Sequence, residues 1–319
     1  GVGNLGTYSY ASTSRAAAEV LKMPWERVDI VTGRTDLHLP ITSPQDGSNS
    51  IFTNTRTFYG AAQDMLAKMK EIASMDLGGS PDDYDISNER VHQIADESVG
   101  MTFGQVASRA LEIGGKYTGS SDLPEELAEW TQISVSRLAG SAFMGVFHDP
   151  RHEGNPPGFT VSCVEIELDT ETGKYEILDL INVADSGTIM HPKGMENQLV
   201  GGAVWGIGLS GYERHLYDPQ NGMPASTGYW QSKVPTFLDT PVKIQTGWTD
   251  LPDPENPVGA RGVGEPAQGS VSAALTAAIS DALGGHIFGA PPITADMIIN
   301  HVAGTSEDSV PLAQNNFRG

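Results

Sequence analysis

The sequence holds one cysteine, Cys163, in 319 residues. An internal disulfide is excluded, and so is iron–sulfur ligation by this chain alone. Basic residues are scarce too: 19 Lys and Arg stand against 40 Asp and Glu, for a formal net charge of −21. Such a surface repels polyanions, which argues against nucleic acid and anionic membranes as partners. No apolar run approaches the ~20 residues of a membrane-spanning helix, and the first residues carry no signal-peptide pattern. The expected compartment is the cytoplasm, with the periplasm the alternative if a leader has been removed.

What is present is turn chemistry: 37 glycines and 20 prolines. The length suits one large or two modest domains with a real core. Helical spacing is expected over residues 7–21, from about 54 to 75, over 102–113 from a Thr102 cap, and over the small-residue run 270–283. A Gly-rich apolar helix is expected over 194–208. A short acidic helical turn is expected within 123–130. Extended character is expected over 27–32, 85–91, 143–147 and 159–168. The last of these turns through Asp169-Thr-Glu-Thr-Gly-Lys174 into a partner at 175–183, a strong hairpin signal. A second hairpin is expected at 215–222 on its Asn-Gly turn. His148 and His152 have metal-like spacing but read as solvated loop histidines, with no further ligand nearby.

Two glycine-rich stretches invite chemistry. Gly1-Val-Gly-Asn-Leu-Gly6 spells a dinucleotide fingerprint, followed by helical and strand-like segments. Without a strand before it, an NAD-binding Rossmann reading is a minor alternative. Gly262-Val-Gly-Glu-Pro266 carries a single carboxylate, Glu265, ahead of a helix that Pro266 would begin. The plain reading is a junction whose Glu complements the helix dipole. The other is a carboxylate held for catalysis in a turn whose glycines admit a bulky group.

Gly262-Val-Gly-Glu-Pro266 resembles the signature of the xanthine oxidase/aldehyde oxidoreductase family of molybdenum hydroxylases, and further blocks resemble that family in the same order. Gly3-Asn-Leu-Gly-Thr-Tyr-Ser9 is similar to its G-Q-G-T-Y-T loop, with Asn4 where the family has Gln. Thr42-Ser-Pro-Gln-Asp-Gly-Ser-Asn-Ser50 is similar to its cofactor-wrapping loop. The hairpin 165–183, the segment Asp185-Ser-Gly-Thr-Ile-Met-His-Pro192 (with His191 for the family's Asn), the helix carrying Gln198, and Gly289-Ala-Pro-Pro-Ile-Thr294 complete the likeness. It covers nearly the whole chain.

The resemblance implies an α+β fold of two subdomains with mixed or antiparallel sheets and packed helices. The divisions expected are 1–140, 141–303 and a peripheral tail 304–319. It implies a molybdopterin-binding subunit that oxidises an aldehyde or N-heteroaromatic carbon with oxygen from water. Glu265 is then the catalytic base. Gly3, Asn4, Gly6, Gln45, Asp46, Gly47, Ser48, Ser50, Gln198, Gly262, Val263 and Gly264 would bind molybdopterin, in its cytosine dinucleotide form, and no protein side chain would ligate molybdenum. Arg261 would orient substrate or pair with an acidic neighbour. The family's upstream F-G-G-K-type and F-R-G-type loops do not occur here. The resemblance therefore implies a split subunit or fragment, working with the N-terminal half of the molybdopterin subunit, a 2Fe–2S subunit and an FAD subunit. A non-catalytic assembly subunit is the alternative, favoured by Asn4 and Asp46 and opposed by Glu265.

Overall fold

Residues 1–42, 44–147, 158–218 and 220–305 are described by the computed structural model. The chain forms two units, each assembled from separate stretches. The first comprises Gly1–Pro157, Gly187–His191 and Leu251–Gly262, and the second Gly158–Ser186, Pro192–Asp250 and Val263–Gly319. His148, His152 and the tail beyond 305 lie outside the described residues.

The first unit is built on two helices, α1 (Ser9–Val20) and α2 (Ser50–Leu77). Helix α1 buries small residues: Ser12, Thr13, Ser14 and Ala16. Its hydroxyls stay satisfied because Ser12, Thr13 and Ser14 donate to the carbonyls of Tyr8, Ser9 and Tyr10 at 3.0, 2.7 and 2.6 Å. Helix α2 ends at Gly78, whose φ of 87° breaks the helical path.

Strands β1 (Tyr84–Ser87), β2 (Arg90–Gln93) and β3 (Gly100–Thr102) form an antiparallel sheet. The β1–β2 turn places Asn88 and Glu89 at positive φ, as a two-residue hairpin of right-handed twist requires. Helix α3 (Phe103–Ile113) follows from a Thr102–Gln105 capping box. These elements close over a core of Met69, Ile72, Tyr84, Ile86, Val91 and Val106.

The second unit holds β4 (Phe159–Asp169) and β5 (Lys174–Asp185), antiparallel as the hairpin signal predicts, with β6 (Ile244–Thr249) parallel to β5. Gly173 turns the hairpin at φ 69°. Two long helices cover one face: α5 (Pro192–Gly211) and α7 (Pro266–Ala282), one after the short α6 (Tyr229–Ser232) and one before. A Cβ on Gly202 would lie 2.6 Å from Ala267 Cβ, and one on Gly206 2.6 Å from the Gln268 carbonyl oxygen. The glycines of α5 therefore permit backbone-to-backbone approach. Leu180, Ala203, Ile207, Val271, Leu275 and Ile298 form the core, the last from α8 (Ala295–Val302).

The α+β expectation holds, but several local expectations do not. Residues 28–32, of which Val28 is extended, join no ladder, after a 3₁₀ turn at Trp25–Arg27. A strand needs a hydrogen-bonded neighbour, and none lies beside this segment among the described residues. Helix α1 therefore leads to no paired strand among the described residues, which leaves the Rossmann alternative without support. Residues 143–147 are not a strand either. The Val146 N–H donates to the Asp64 carboxylate on α2 at 2.8 Å, so a side chain replaces the ladder. Near 217 the expected reversal is present but short: one antiparallel bridge, Tyr217 to Pro224, flanked by the Asp218 N–H donating to the Met223 carbonyl at 2.8 Å and the Ala225 N–H to the Leu216 carbonyl at 2.7 Å. Residues 123–128 form no helix; α4 (Glu129–Leu138) begins beyond them. The spacing of apolar residues also missed β6 and α8.

Candidate functional site

Seven loop positions and one helix start among the sequence candidates belong to the first unit, together with Gly262. There the loop 1–6 and the loop 42–50 are tied together. The Gly3 N–H donates to Gln45 Oε1 at 3.0 Å, and the Thr42 hydroxyl donates to the Gly1 carbonyl at 3.1 Å. A Cβ on Gly3 would lie 2.2 Å from Gln45 Oε1 and would displace that side chain. Gln45 thus braces the Gly3 backbone. Asn4 Oδ1 accepts from the Tyr8 N–H at 3.2 Å and steadies the chain entering α1. Gly6 takes φ 77° with nothing within 4 Å of its Cβ position.

Asp46 is exposed, and its carbonyl accepts from the Asn49 N–H at 3.1 Å across Gly47 and Ser48, both at φ 56°. This tight turn delivers Ser50 as the first residue of α2, whose N-terminus has no side-chain cap. Its first-turn amides and positive dipole end suit an anion. Gly262 approaches the same turn: a Cβ there would lie 1.6 Å from the Ser48 carbonyl oxygen.

What holds Gly262 in place escaped the sequence reading. Asn256 is buried, and its Nδ2 donates to the Phe52 carbonyl at 2.9 Å and to Thr55 Oγ1 at 3.0 Å. Its Oδ1 accepts from the Val258 and Ala260 N–H groups at 3.0 and 3.3 Å. Arg261 pairs with the buried carboxylate of Asp253, the second of the two roles open to it. The one available signal was the Asp253-Pro-Glu-Asn-Pro257 run, whose Asx residues favour local backbone bonds. Tyr8 and His191 stack with centroids 4.9 Å apart and planes within 9°, a pairing sequence separation hides.

In the second unit Val263, Gly264 and Glu265 lead directly into α7. Glu265 is the N-cap residue and is half-buried, with Pro266 behind it at the first helical positions. Its side chain makes no capping hydrogen bond, and its place at the helix start suits the dipole as well as a catalytic role. Gln198 lies on α5, one turn before Gly202, and shares that face. A Cβ on Gly202 would lie 3.4 Å from the Gly264 carbonyl, so this face meets the Glu265 loop within the unit. One turn into α7, the buried Oε1 of Gln268 has no hydrogen-bond partner among the described residues, an acceptor the sequence did not flag. Among the described residues no group of three or more His, Cys, Asp or Glu could hold a metal ion.

A family model described as molybdopterin cofactor-binding domain matches residues 1–241. The 6-hydroxypseudooxynicotine dehydrogenase complex subunit gamma of Paenarthrobacter nicotinovorans is 26% identical over 300 residues, covering 92% of this chain and 34% of that protein. The aldehyde oxidoreductase molybdenum-binding subunit PaoC of Escherichia coli K12 is 26% identical over 93% of this chain and 36% of its own length. The chain therefore spans about a third of the curated relatives it matches. Among solved structures, a Cu,Mo-CO dehydrogenase superposes with a TM-score of 0.71 at 24% identity, over 95% of this chain and 35% of that one. Quinoline 2-oxidoreductase from Pseudomonas putida 86 does so with the same score and identity, over 96% and 36%. These two likenesses establish a shared fold.

Proposed function

The chain belongs to the molybdopterin cofactor-binding domain family, and from that premise we propose that it is the molybdopterin-binding part of a molybdenum hydroxylase, with Glu265 as catalytic base. The family match ends at residue 241, so the role of Glu265 rests on its own geometry. The observation that carries it is a half-buried carboxylate held at the head of α7, just after the close-packed Gly262.

The residues fit the cofactor. The first-unit loops offer glycine backbone at Gly6 and Gly47 with nothing within 4 Å of either Cβ position, and the uncapped start of α2 favours a phosphate. In the second unit the orphaned Gln268 Oε1 is an acceptor for which a pterin amino group is a suitable donor. Gly3, Asn4, Gly6, Gln45, Asp46, Gly47, Ser48 and Ser50 would surround the phosphate and dithiolene end, with Gln45 and Asn4 acting by bracing the backbone. Gln198, Gly262, Val263 and Gly264 would flank the pterin. When bound, the cofactor supplies two-electron oxidation of an electron-poor carbon, with the new oxygen derived from water.

The contribution of this chain is position and proton transfer. Glu265 would accept the proton released as oxygen adds to the substrate carbon, and general bases of this kind are worth roughly 10²–10⁴-fold. Aldehydes and N-heteroaromatics are the substrate classes. The finer assignments are the cytosine dinucleotide form of the cofactor, the missing length of the molybdopterin subunit, 2Fe–2S and FAD partners, and a cytoplasmic location. Among the described residues no helix is long and apolar enough to cross a membrane.

Elemental analysis of the native complex that carries this chain tests the reading. Molybdenum at about one atom per copy is the expected result. None, in a complex whose partners keep their iron, would favour the assembly-subunit alternative.

A further inference from the structure

The inner face of β4 changes character along its length. Thr160, Ser162, Val164, Ile166 and Leu168 are its half-buried alternate positions. The last three pack against the apolar core of the second unit, whereas the first two carry hydroxyls. Those hydroxyls reach the head of α7. Thr160 Oγ1 donates to the Pro266 carbonyl at 2.9 Å, on the residue that follows Glu265. Ser162 Oγ donates at 3.2 Å to Oδ1 of Asn182, its cross-strand partner on β5. With that hydrogen committed, its 2.8 Å contact to Ser270 on α7 is a bond that the Ser270 hydroxyl donates. Asn182 is fully buried, and its Nδ2 donates to the Leu199 carbonyl on α5 at 3.0 Å, next to Gln198. A chain of hydrogen bonds therefore runs from α5 through β5 and β4 to the first turns of α7, inside one unit.

We propose that Thr160, Ser162 and Asn182 are positioning residues that fix the head of α7, and with it Glu265, for proton transfer. The inference rests on the proposed role of Glu265. Burial alone does not set that position. Val271, Leu275 and Ile279 are buried from α7, but apolar contact is non-directional. The contact of α5 with α7 runs through small residues, Gly202, Gly206 and Ala267, which offer little relief against sliding along the axis. A slip of one helical turn would carry Glu265 about 5.4 Å. Hydrogen bonds demand a distance and an angle, and so hold the helix at one place along its axis. A satisfied polar network specifies a unique packing where apolar residues of similar size would only fill the space. Thr160 acts closest to Glu265, because its bond lands on the next residue.

Thr160→Val keeps the side-chain shape and removes the hydroxyl, and Thr160→Ser keeps the hydroxyl. Both are made in the native, molybdenum-containing complex. The assay uses whichever of an aromatic aldehyde and an N-heteroaromatic the parent complex oxidises. Thr160→Val is expected to lower kcat by about 10-fold or more, as small misplacements of a catalytic group do, with KM and molybdenum content unchanged. Thr160→Ser is expected to restore it. The Ser270 amide, which shares the Pro266 carbonyl through the helix, should exchange about 10-fold faster in Thr160→Val and not in Thr160→Ser. In a Glu265→Gln background, Thr160→Val should cause no further loss of the residual turnover. Unchanged kcat, whatever the exchange, makes the bond structural only and overturns the proposal. An equal loss in both backgrounds also overturns it, because Thr160 would then act without Glu265. Normal turnover by Glu265→Gln alone overturns the base on which the proposal rests, a failure told apart because Thr160 is untouched.

Discussion

Gly262 lies so close to Ser48 that a Cβ on it would sit 1.6 Å from the Ser48 carbonyl oxygen. These residues are far apart in sequence, and their contact joins the loop preceding Glu265 to the turn that starts α2. Gly262→Ala must push the two backbones apart. It is expected to destabilise the first unit by about 1–3 kcal/mol, the usual cost of overpacking, and to lower molybdenum content. Thermal unfolding and metal analysis of the purified complex check both. Normal content at normal stability would mean that the contact is not needed.

Asn256 is the clamp behind that contact. Asn256→Ala would strand the Val258 and Ala260 amides and the Phe52 carbonyl, at about 1–3 kcal/mol for each group that stays buried and unpaired. Asn256→Asp keeps the acceptor but sets a buried carboxylate against the Phe52 carbonyl, so its denaturant midpoint is expected to fall at least as far as that of Asn256→Ala.

Glu265→Gln keeps size and loses the base. Turnover should fall by more than ~10²-fold, with molybdenum retained and the melting temperature unchanged. Loss of cofactor from a folded variant would make Glu265 a structural residue instead.

Gln268→Met removes a buried acceptor that has no partner among the described residues. Replacing an unsatisfied polar group by an apolar one of similar shape is near neutral or stabilising. The cofactor-free complex should therefore melt no lower than the parent, while cofactor retention falls. A markedly lower melting temperature without cofactor would show that Gln268 Oε1 is satisfied within the protein.

Asp169 folds the β4–β5 turn by accepting from the Thr172 hydroxyl at 2.7 Å and the Glu171 N–H at 2.9 Å. The Thr172 hydroxyl bond, followed by the backbone bonds, holds its pKa below the ordinary 3.8. A lowered folded-state pKa gives a stabilisation that is complete above the unfolded value and is lost as pH falls through the folded one. The stability difference between the parent and Asp169→Asn should be constant at neutral pH and shrink on acidification below about 3.9. An unchanged difference at the lowest pH at which the protein stays folded would contradict this.

The hairpin at 169–174, the Thr102 cap and the α5 and α7 helices could be read from the sequence because each depends on neighbours within a few residues. Turn glycine, capping hydroxyl and small-residue periodicity act locally. Glu265 and its proline were visible for the same reason, and the ordered blocks identified the family. The helix starts of α1 and α2 were found to within a few residues.

The tertiary structure decided what depends on partners distant in sequence. The strand-like composition of residues 28–32 could not show that the ladder is missing, because a ladder belongs to two segments. Arg261 had two plausible roles until folding placed it beside Asp253. The resemblance implied Gln45 and Asn4 as cofactor contacts, and their hydrogen bonds to Gly3 and Tyr8, which add a bracing role, appear only in the fold. Asn256 carried little signal at all. A single amide side chain organises that loop because folding buries it where every donor and acceptor must be paired, and the order of residues does not state which group will be buried.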